Sequence, residues 1–274
     1  MKKIFLSSLL INLLILSPTL AATSLPVPFT AQAPYGQWTA QPWADACEEA
    51  VTVMLTHFYN GNNSAQIPAK VATADINKLV GIENWLFGYN KDTNAQQMTQ
   101  LINEYLPWRA TVVEYPSFDA IKNEIAAGRP VIALVHGRAL ANPYFRAGGP
   151  DYHTVIIKGF DDDKQAFITQ EPGVNRGLDY PYSYDTLMNA LHDFVPGGKT
   201  INGTPTVLFT DLPTLESGTL VKLGNDPGVY YLLGQTKYPI TSEQAFLTRG
   251  WKWTQIRILN PDLLGKFTVG DYLR

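Results

Sequence analysis

Cys47 is the one cysteine among 274 residues, and a lone thiol closes no internal disulfide, so any fold this chain adopts must be held by core packing. The amino terminus sharpens the constraint. Met1-Lys2-Lys3, the apolar run 4–16 and Ser17-Pro18-Thr19-Leu20-Ala21-Ala22 have the layout of a cleavable secretory signal over residues 1–21, with processing expected after Ala21 or Ala22. Exported domains commonly pair their cysteines to stabilise small cores. A free thiol in that setting is either buried and inert or held as a reactive nucleophile.

Composition decides what else is excluded. Loss of the leader leaves about 250 residues, enough for one large domain or one domain with a small appendage. With 45% hydrophobic and 16% charged residues the chain reads as globular rather than disordered. The formal net charge of -3 becomes -5 once Lys2 and Lys3 leave, and no block of basic residues remains to attract nucleic acid or an anionic membrane. After the leader no stretch approaches the roughly 18 apolar residues of a spanning helix. The mature chain is therefore expected to be soluble and outside the cytoplasm, secreted or at the cell envelope.

Residues 46–59 place Ala50, Val51, Met54, Leu55 and Phe58 at helical spacing and stop at Asn60-Gly61, which puts Cys47 in the first turn of a helix. Extended chain at 25–29 and a loop carrying Pro34, Gly36 and Pro42 precede it. Spacing and cap residues, Thr93 and Ser117 among them, predict helices at about 68–80, 95–106 and 117–127. Strands follow at 111–114, 131–135, 154–160, 166–170 and 178–182, then a helix at 184–194 and a strand at 206–210. Helices first and an antiparallel sheet later argue α+β rather than a doubly wound parallel sheet. Near 211–218 the chain changes character. Short strands at 220–222, 229–233 and 237–240 and a helix at 242–247 led by Ser242 mark 214–274 as a small accessory module behind a main domain at 25–210.

A thiol at a helix N-terminus gains from the positive end of the macrodipole and from unpaired N–H groups. Glu48 and Glu49 work against this, since neighbouring carboxylates disfavour a thiolate. A cationic partner is needed, and an imidazolium both stabilises the thiolate and protonates a leaving amine. His57 lies on the same helix about three turns away, and His192 sits by a helix C-terminus beside Asp193, where a cation is favoured in any case. His136 ends the apolar strand 131–135 and His153 begins the next one, so either is placed to face a cleft.

A useful base is oriented by a third group, and this separates the two. If Asp161-Asp162-Asp163-Lys164 forms a hairpin turn with Phe160 opposite Gln165, His153 falls across from Pro172 and Glu171 is one position away. That is within side-chain reach, and one bulged residue brings the pair face to face. The same geometry places no carboxylate beside His136. An oxyanion formed at the site would be met by the Cys47 backbone N–H and by the amide of Gln41 or Gln32.

Four segments in this order, Val27-Pro28-Phe29-Thr30-Ala31-Gln32-Ala33-Pro34, Asp45-Ala46-Cys47-Glu48-Glu49-Ala50, Gly128-Arg129-Pro130-Val131-Ile132 and Tyr152-His153-Thr154-Val155-Ile156-Ile157-Lys158-Gly159-Phe160-Asp161, resemble the papain-like cysteine peptidases. The resemblance is to the double-glycine leader peptidase branch, family C thirty-nine, and continues through Phe167-Ile168-Thr169-Gln170-Glu171-Pro172-Gly173. It spans about 25–194. It implies a papain-like fold with N-terminal helices packed on an antiparallel sheet, no metal or organic cofactor, Cys47 as nucleophile, His153 as general base and acid, and Glu171 in the place usually held by aspartate. Gln32 matches the family's N-terminal segment, whereas Gln41 has papain-like spacing, six residues before the cysteine. Two departures stand out: Glu48 replaces a glycine, and glutamate lengthens the third side chain by a methylene. The C-terminal stretch, with Leu220-Val221-Lys222 and Val229-Tyr230-Tyr231, resembles a small module of bacterial surface proteins.

The expected activity is that of an exported bacterial thiol peptidase or amidase with a peptide or protein substrate, acting by hydrolysis or by acyl transfer through the same residues. The rival is a non-catalytic envelope or adhesion module on the same scaffold, motivated by the charges of Glu48 and Glu49 and by the appended module.

Overall fold

The computed structural model describes residues 22–212, 215–223, 226–259, 264–265 and 267–274; the expected leader and the expected module start at Thr214 lie outside these. A two-residue strand β1 (Thr23–Ser24) leads through an irregular arm to α1 (Cys47–Tyr59), α2 (Ala69–Phe87) and α3 (Ala95–Tyr105). Then come β2 (Arg109–Glu114), α4 (Phe118–Ala126), β3 (Val131–Val135), β4 (His153–Asp161), β5 (Ala166–Gln170), β6 (Tyr180–Ser183), α5 (Tyr184–Ala190) and β7 (Thr206–Asp211). These strands form one sheet in the order β2-β7-β3-β4-β5-β6, antiparallel throughout, with β1 laid against β4 where β3 has ended. The architecture is α+β, as the element order predicts.

Helices cover both faces of the sheet. Ile132, Leu134, Ile156 and Leu208 pack with Val51, Met54 and Leu55 of α1 and with α2 and α3, while Val131, Ala133, Val155 and Ile157 alternate to the other face against Ile121, Ile125 and Leu187 of α4 and α5. That double cover is why β3 is an unbroken apolar run rather than an alternating one. Residues 47–55 of α1 are all buried, so the helix bearing the cysteine is enclosed on every side at its start. Each fully buried Leu or Met there contributes about 1.5 to 3 kcal/mol.

Several boundaries move from their expected places for identifiable reasons. Helix α2 runs on through Gly81, because Leu79, Glu83 and Leu86 continue its inward face, and ends at Gly88 in the left-handed region. Asn94, not Thr93, caps α3, through a reciprocal pair with Gln97. Thr93 is diverted to Glu48. Ser117 does cap α4, its hydroxyl oxygen accepting the Ala120 N–H at 3.1 Å. Helix α5 stops at Ala190, where Leu191 turns to bridge Val135, instead of reaching residue 194. The extended segment at 25–29 is only partly paired: the ladder is at Thr23–Ser24, and Phe29 bridges Gln66.

The hairpin β4–β5 has a different register from the expected one. Asp161 pairs with Ala166 and Phe160 with Phe167, because Asp161 closes the turn by accepting the Lys164 N–H and Gln165 takes a left-handed conformation. A bulge does occur, at Lys158 between Ile157 and Gly159, after which Ile156 lies opposite Gln170. Glu171 therefore follows the last ladder residue and shares a face with His153.

A second sheet is built from β8 (Leu220–Leu223), β9 (Val229–Leu233), β10 (Thr236–Pro239), β11 (Arg257–Leu259) and β12 (Thr268–Val269), in the order β11-β8-β9-β10-β12, with α6 (Glu243–Leu247) capped by Ser242. Val221, Leu232, Leu259 and Leu264 form its core. Among the described residues no helix is long and apolar enough to cross a membrane.

Candidate active site

Cys47 opens α1 after Ala46, which offers no side-chain cap, so the first-turn N–H groups of the helix lack an intrahelical acceptor. His153 opens β4, and Glu171 follows β5. A groove of about 880 Å³ brings these segments together, with Cys47, His153, Gln32, Asp92, Phe145 and Gly173 among its walls.

The His153–Glu171 pair is the tightest feature of the groove. Nε2 of His153 meets Oε1 of Glu171 at 2.5 Å, and the side chains are 2% and 0% exposed. The same Oε1 accepts the Gly173 N–H at 2.7 Å, and Oε2 accepts the Tyr182 hydroxyl at 2.8 Å. Asn142 in turn donates to the Tyr182 oxygen at 2.7 Å. With Nε2 engaged, Nδ1 is the imidazole nitrogen left for the reacting groups. Phe145 stands edge-on to the imidazole at 5.4 Å between centroids and limits its tilt.

Two glycines make the loop possible. A Cβ on Gly173 would lie 3.0 Å from Glu171 Oε1, His153 Cε1 and Phe145 Cε1. One on Gly177 would overlap the Glu171 carbonyl, which accepts no such neighbour because the Glu171 N–H bonds back to the Gly177 carbonyl at 2.9 Å.

The sulfur is differently placed from expectation. Cys47 Sγ donates to Oε2 of Glu48 at 2.9 Å, and no hydrogen bond joins it to His153. By the alternation of β4, Thr154 and Ile156 face α1 and His153 lies on the other face with Val155, while Cys47 and His153 both line the groove. Burial pushes the Cys47 thiol well above its ordinary pKa, the Glu48 and Asp92 charges push it further, and the nearby Thr154 hydroxyl pulls the other way. Burial and the Asp92 charge likewise raise Glu48. Asp92 itself is pushed up to about 6, chiefly by burial and then by Asp45.

Gln32 and Gln41 fall in different places. Gln32 lines the groove and donates its side-chain amide to the carbonyls of Trp43 and Ala44 at 3.0 and 3.1 Å, fixing the loop that leads into α1. Its backbone N–H reaches the Pro172 carbonyl at 2.9 Å. Gln41 is exposed and donates to Asp45 at 2.6 Å, and the structure does not bring it to the groove. His57 bonds to Asp75 and Asn62, His192 to the Ala190 carbonyl, and His136 stacks edge-on to His192, all away from the groove walls. Among the described residues no three His, Cys, Asp or Glu side chains are grouped to hold a metal ion.

Sequence reasoning missed Tyr182, Asn142 and Phe145. Tyr182 was within a predicted strand, yet only the β5–β6 register, Phe167 opposite Tyr182, shows which way its hydroxyl goes. Asn142 and Phe145 lie on a loop with no periodicity to read.

A family model described as Peptidase_C39 like matches residues 24–194, the part of the chain that holds this groove. Among solved structures, the chain is similar to a C39-like peptidase candidate from Bacillus anthracis, at 17% identity, a TM-score of 0.45, and coverage of 69% of this chain and 96% of that one. A wild-type endolysin, LysIME-EF1, aligns at 15% identity and a TM-score of 0.18, covering 70% of this chain and 84% of its own. No curated protein matches the sequence.

Proposed function

The chain belongs to the Peptidase_C39 like family, and from that premise we propose that it is an exported cysteine peptidase or amidase whose nucleophile is Cys47. The observation that carries the reading is the meeting of Cys47, at a helix N-terminus, and the buried His153–Glu171 pair on one groove. In this reaction the Cys47 sulfur forms a bond to the scissile carbonyl carbon after its proton passes to Nδ1 of His153. The imidazolium then protonates the leaving amine as the carbon–nitrogen bond breaks, leaving a thioester. Water activated by His153 cleaves the thioester and restores the thiol. Glu171 holds the imidazole in its tautomer and offsets the imidazolium charge.

The oxyanion is met by the Cys47 N–H and by Gln32, whose bond to the Ala44 carbonyl opens to free one amide hydrogen. Gln41, exposed and bonded to Asp45, is not a candidate on this arrangement. Residues 1–21 act as the export signal, and 214–274 as a separate accessory module.

Hydrolysis of casein and of mixed fluorogenic peptides is the direct test. Cys47→Ala is expected to abolish turnover with the fold intact, and His153→Ala to do nearly as much; undiminished hydrolysis by purified Cys47→Ala protein refutes the assignment. One observation favours the rival, an inactive envelope or adhesion module: the sulfur bonds to Glu48 rather than to His153. On that reading neither wild type nor variants hydrolyse any peptide.

A further inference from the structure

Resting on the assignment of Cys47 as nucleophile, we infer that Glu48 is its positioning residue: the bond from Sγ to Glu48 holds the sulfur in a resting orientation that must open before it engages His153. The geometry is specific. Glu48 is only 2% exposed, and its two oxygens are divided between two tasks. Oε2 takes the thiol hydrogen at 2.9 Å. Oε1 accepts the Thr93 N–H at 2.7 Å and lies 3.4 Å from the Thr93 hydroxyl. The Thr93 carbonyl then accepts the Tyr152 hydroxyl at 2.8 Å, and Tyr152 immediately precedes His153 in the chain. The side chain that accepts the thiol's hydrogen bond is thus tied, bond by bond, to the neighbour of the base.

A purely structural role for Glu48, anchoring the 92–94 loop, needs Oε1 alone. The occupation of Oε2 by sulfur is what that role leaves unexplained. Among the described residues, the titratable groups that interact most strongly with Glu48 are acids or neutral donors, Cys47 and Glu49 on α1, Glu83 from α2, Asp92 from the loop and Tyr152 before β4, while His153 and Lys91 act on Asp92. None of the former is a cation, so negative charge on Glu48 opposes negative charge on the sulfur. The resting sulfur is held as a thiol with its hydrogen turned from the groove. Reaction then requires rotation of Sγ away from Oε2 and delivery of the proton to His153, with the substrate carbonyl in the groove.

Iodoacetamide alkylation of Cys47 across pH tests this without any substrate. Glu48→Gln keeps the shape and the acceptor for Thr93 while removing the charge. It is expected to move the alkylation profile to lower pH by roughly one unit, which is about a tenfold faster reaction at neutral pH. Asp92→Asn, which does not touch the sulfur, is expected to move it in the same direction by less. Circular dichroism and thermal melting confirm that each variant is folded. If the Glu48→Gln profile is unmoved or shifts to higher pH in folded protein, the inference is overturned. Peptide turnover, measured in parallel, judges the peptidase assignment separately: absent turnover with a shifted profile rejects the enzyme and keeps the Glu48 bond, while turnover with an unmoved profile does the reverse.

Discussion

Glu171 holds His153 through Nε2 at 2.5 Å while both side chains are shut off from solvent, so the imidazole is fixed in one orientation. The carboxylate is itself fixed from two other directions, by the Gly173 N–H and the Tyr182 hydroxyl. An orienting group held this firmly has measurable consequences.

Glu171→Gln keeps the volume but replaces a charged acceptor with an amide. Peptide hydrolysis should fall by about 10²-fold or more in kcat/KM, since the imidazolium loses its counter-charge. Tyr182→Phe removes one bond to Glu171 and strands the Asn142 amide, for a loss of about tenfold in rate and about 1 to 3 kcal/mol in unfolding by urea. Equal rates in Glu171→Gln and wild type would remove Glu171 from the mechanism.

The two loop glycines should separate by phenotype. Gly173→Ala puts a methyl group 3.0 Å from Glu171, His153 and Phe145, so the imidazole must tilt. A loss of about 10- to 100-fold in kcat with KM little changed is expected from peptide kinetics. Gly177→Ala forces apart the backbone at Glu171 and should cost about 2 kcal/mol or more of stability, read as a lowered melting temperature.

Gln32 and Gln41 offer a paired comparison. Gln41→Ala, at an exposed site bonded only to Asp45, should leave kcat within about twofold and stability within about 0.5 kcal/mol. Gln32→Ala removes the proposed oxyanion donor and the brace on Trp43 and Ala44, for a loss of about 10²-fold or more in kcat. The reverse pattern would transfer the role to Gln41.

Glu49 and Glu83 face each other between α1 and α2, with Glu83 pushed up to about 7 and Glu49 well above its usual range, in both cases chiefly by burial. The folded chain therefore keeps protons that the unfolded chain releases. Their stabilising effect is complete below about pH 4.5 and is lost as pH rises through about 7. Urea melts at about pH 5.5 and about pH 8.5 should show much of this loss, on the order of 2 kcal/mol from Glu83 across that window. Glu83→Gln should flatten the difference.

What could be read from the residues alone depended on how locally each feature is determined. The helix opening at Cys47 follows from Ala50, Val51, Met54 and Leu55, and β3 and β5 are short apolar runs bounded by turn formers, so all three are local. The His153–Glu171 pairing was reached even though the hairpin register was misplaced, because a glutamate just beyond the strand has the reach to correct for a shifted turn. The position of the sulfur was not legible. It depends on Thr93 leaving its expected capping role to bind Glu48, and on which face of β4 the imidazole takes, and both are settled by packing between segments far apart in sequence.

The arm at residues 25–33 belongs to neither the nucleophile's helix nor the base's strand, yet Gln32 grips the approach to one through its side chain and the loop beside the other through its backbone. A single residue on this arm thus works as a clasp. Severing the polypeptide just downstream of it would leave Cys47, His153 and Glu171 chemically untouched and still strip away their common alignment.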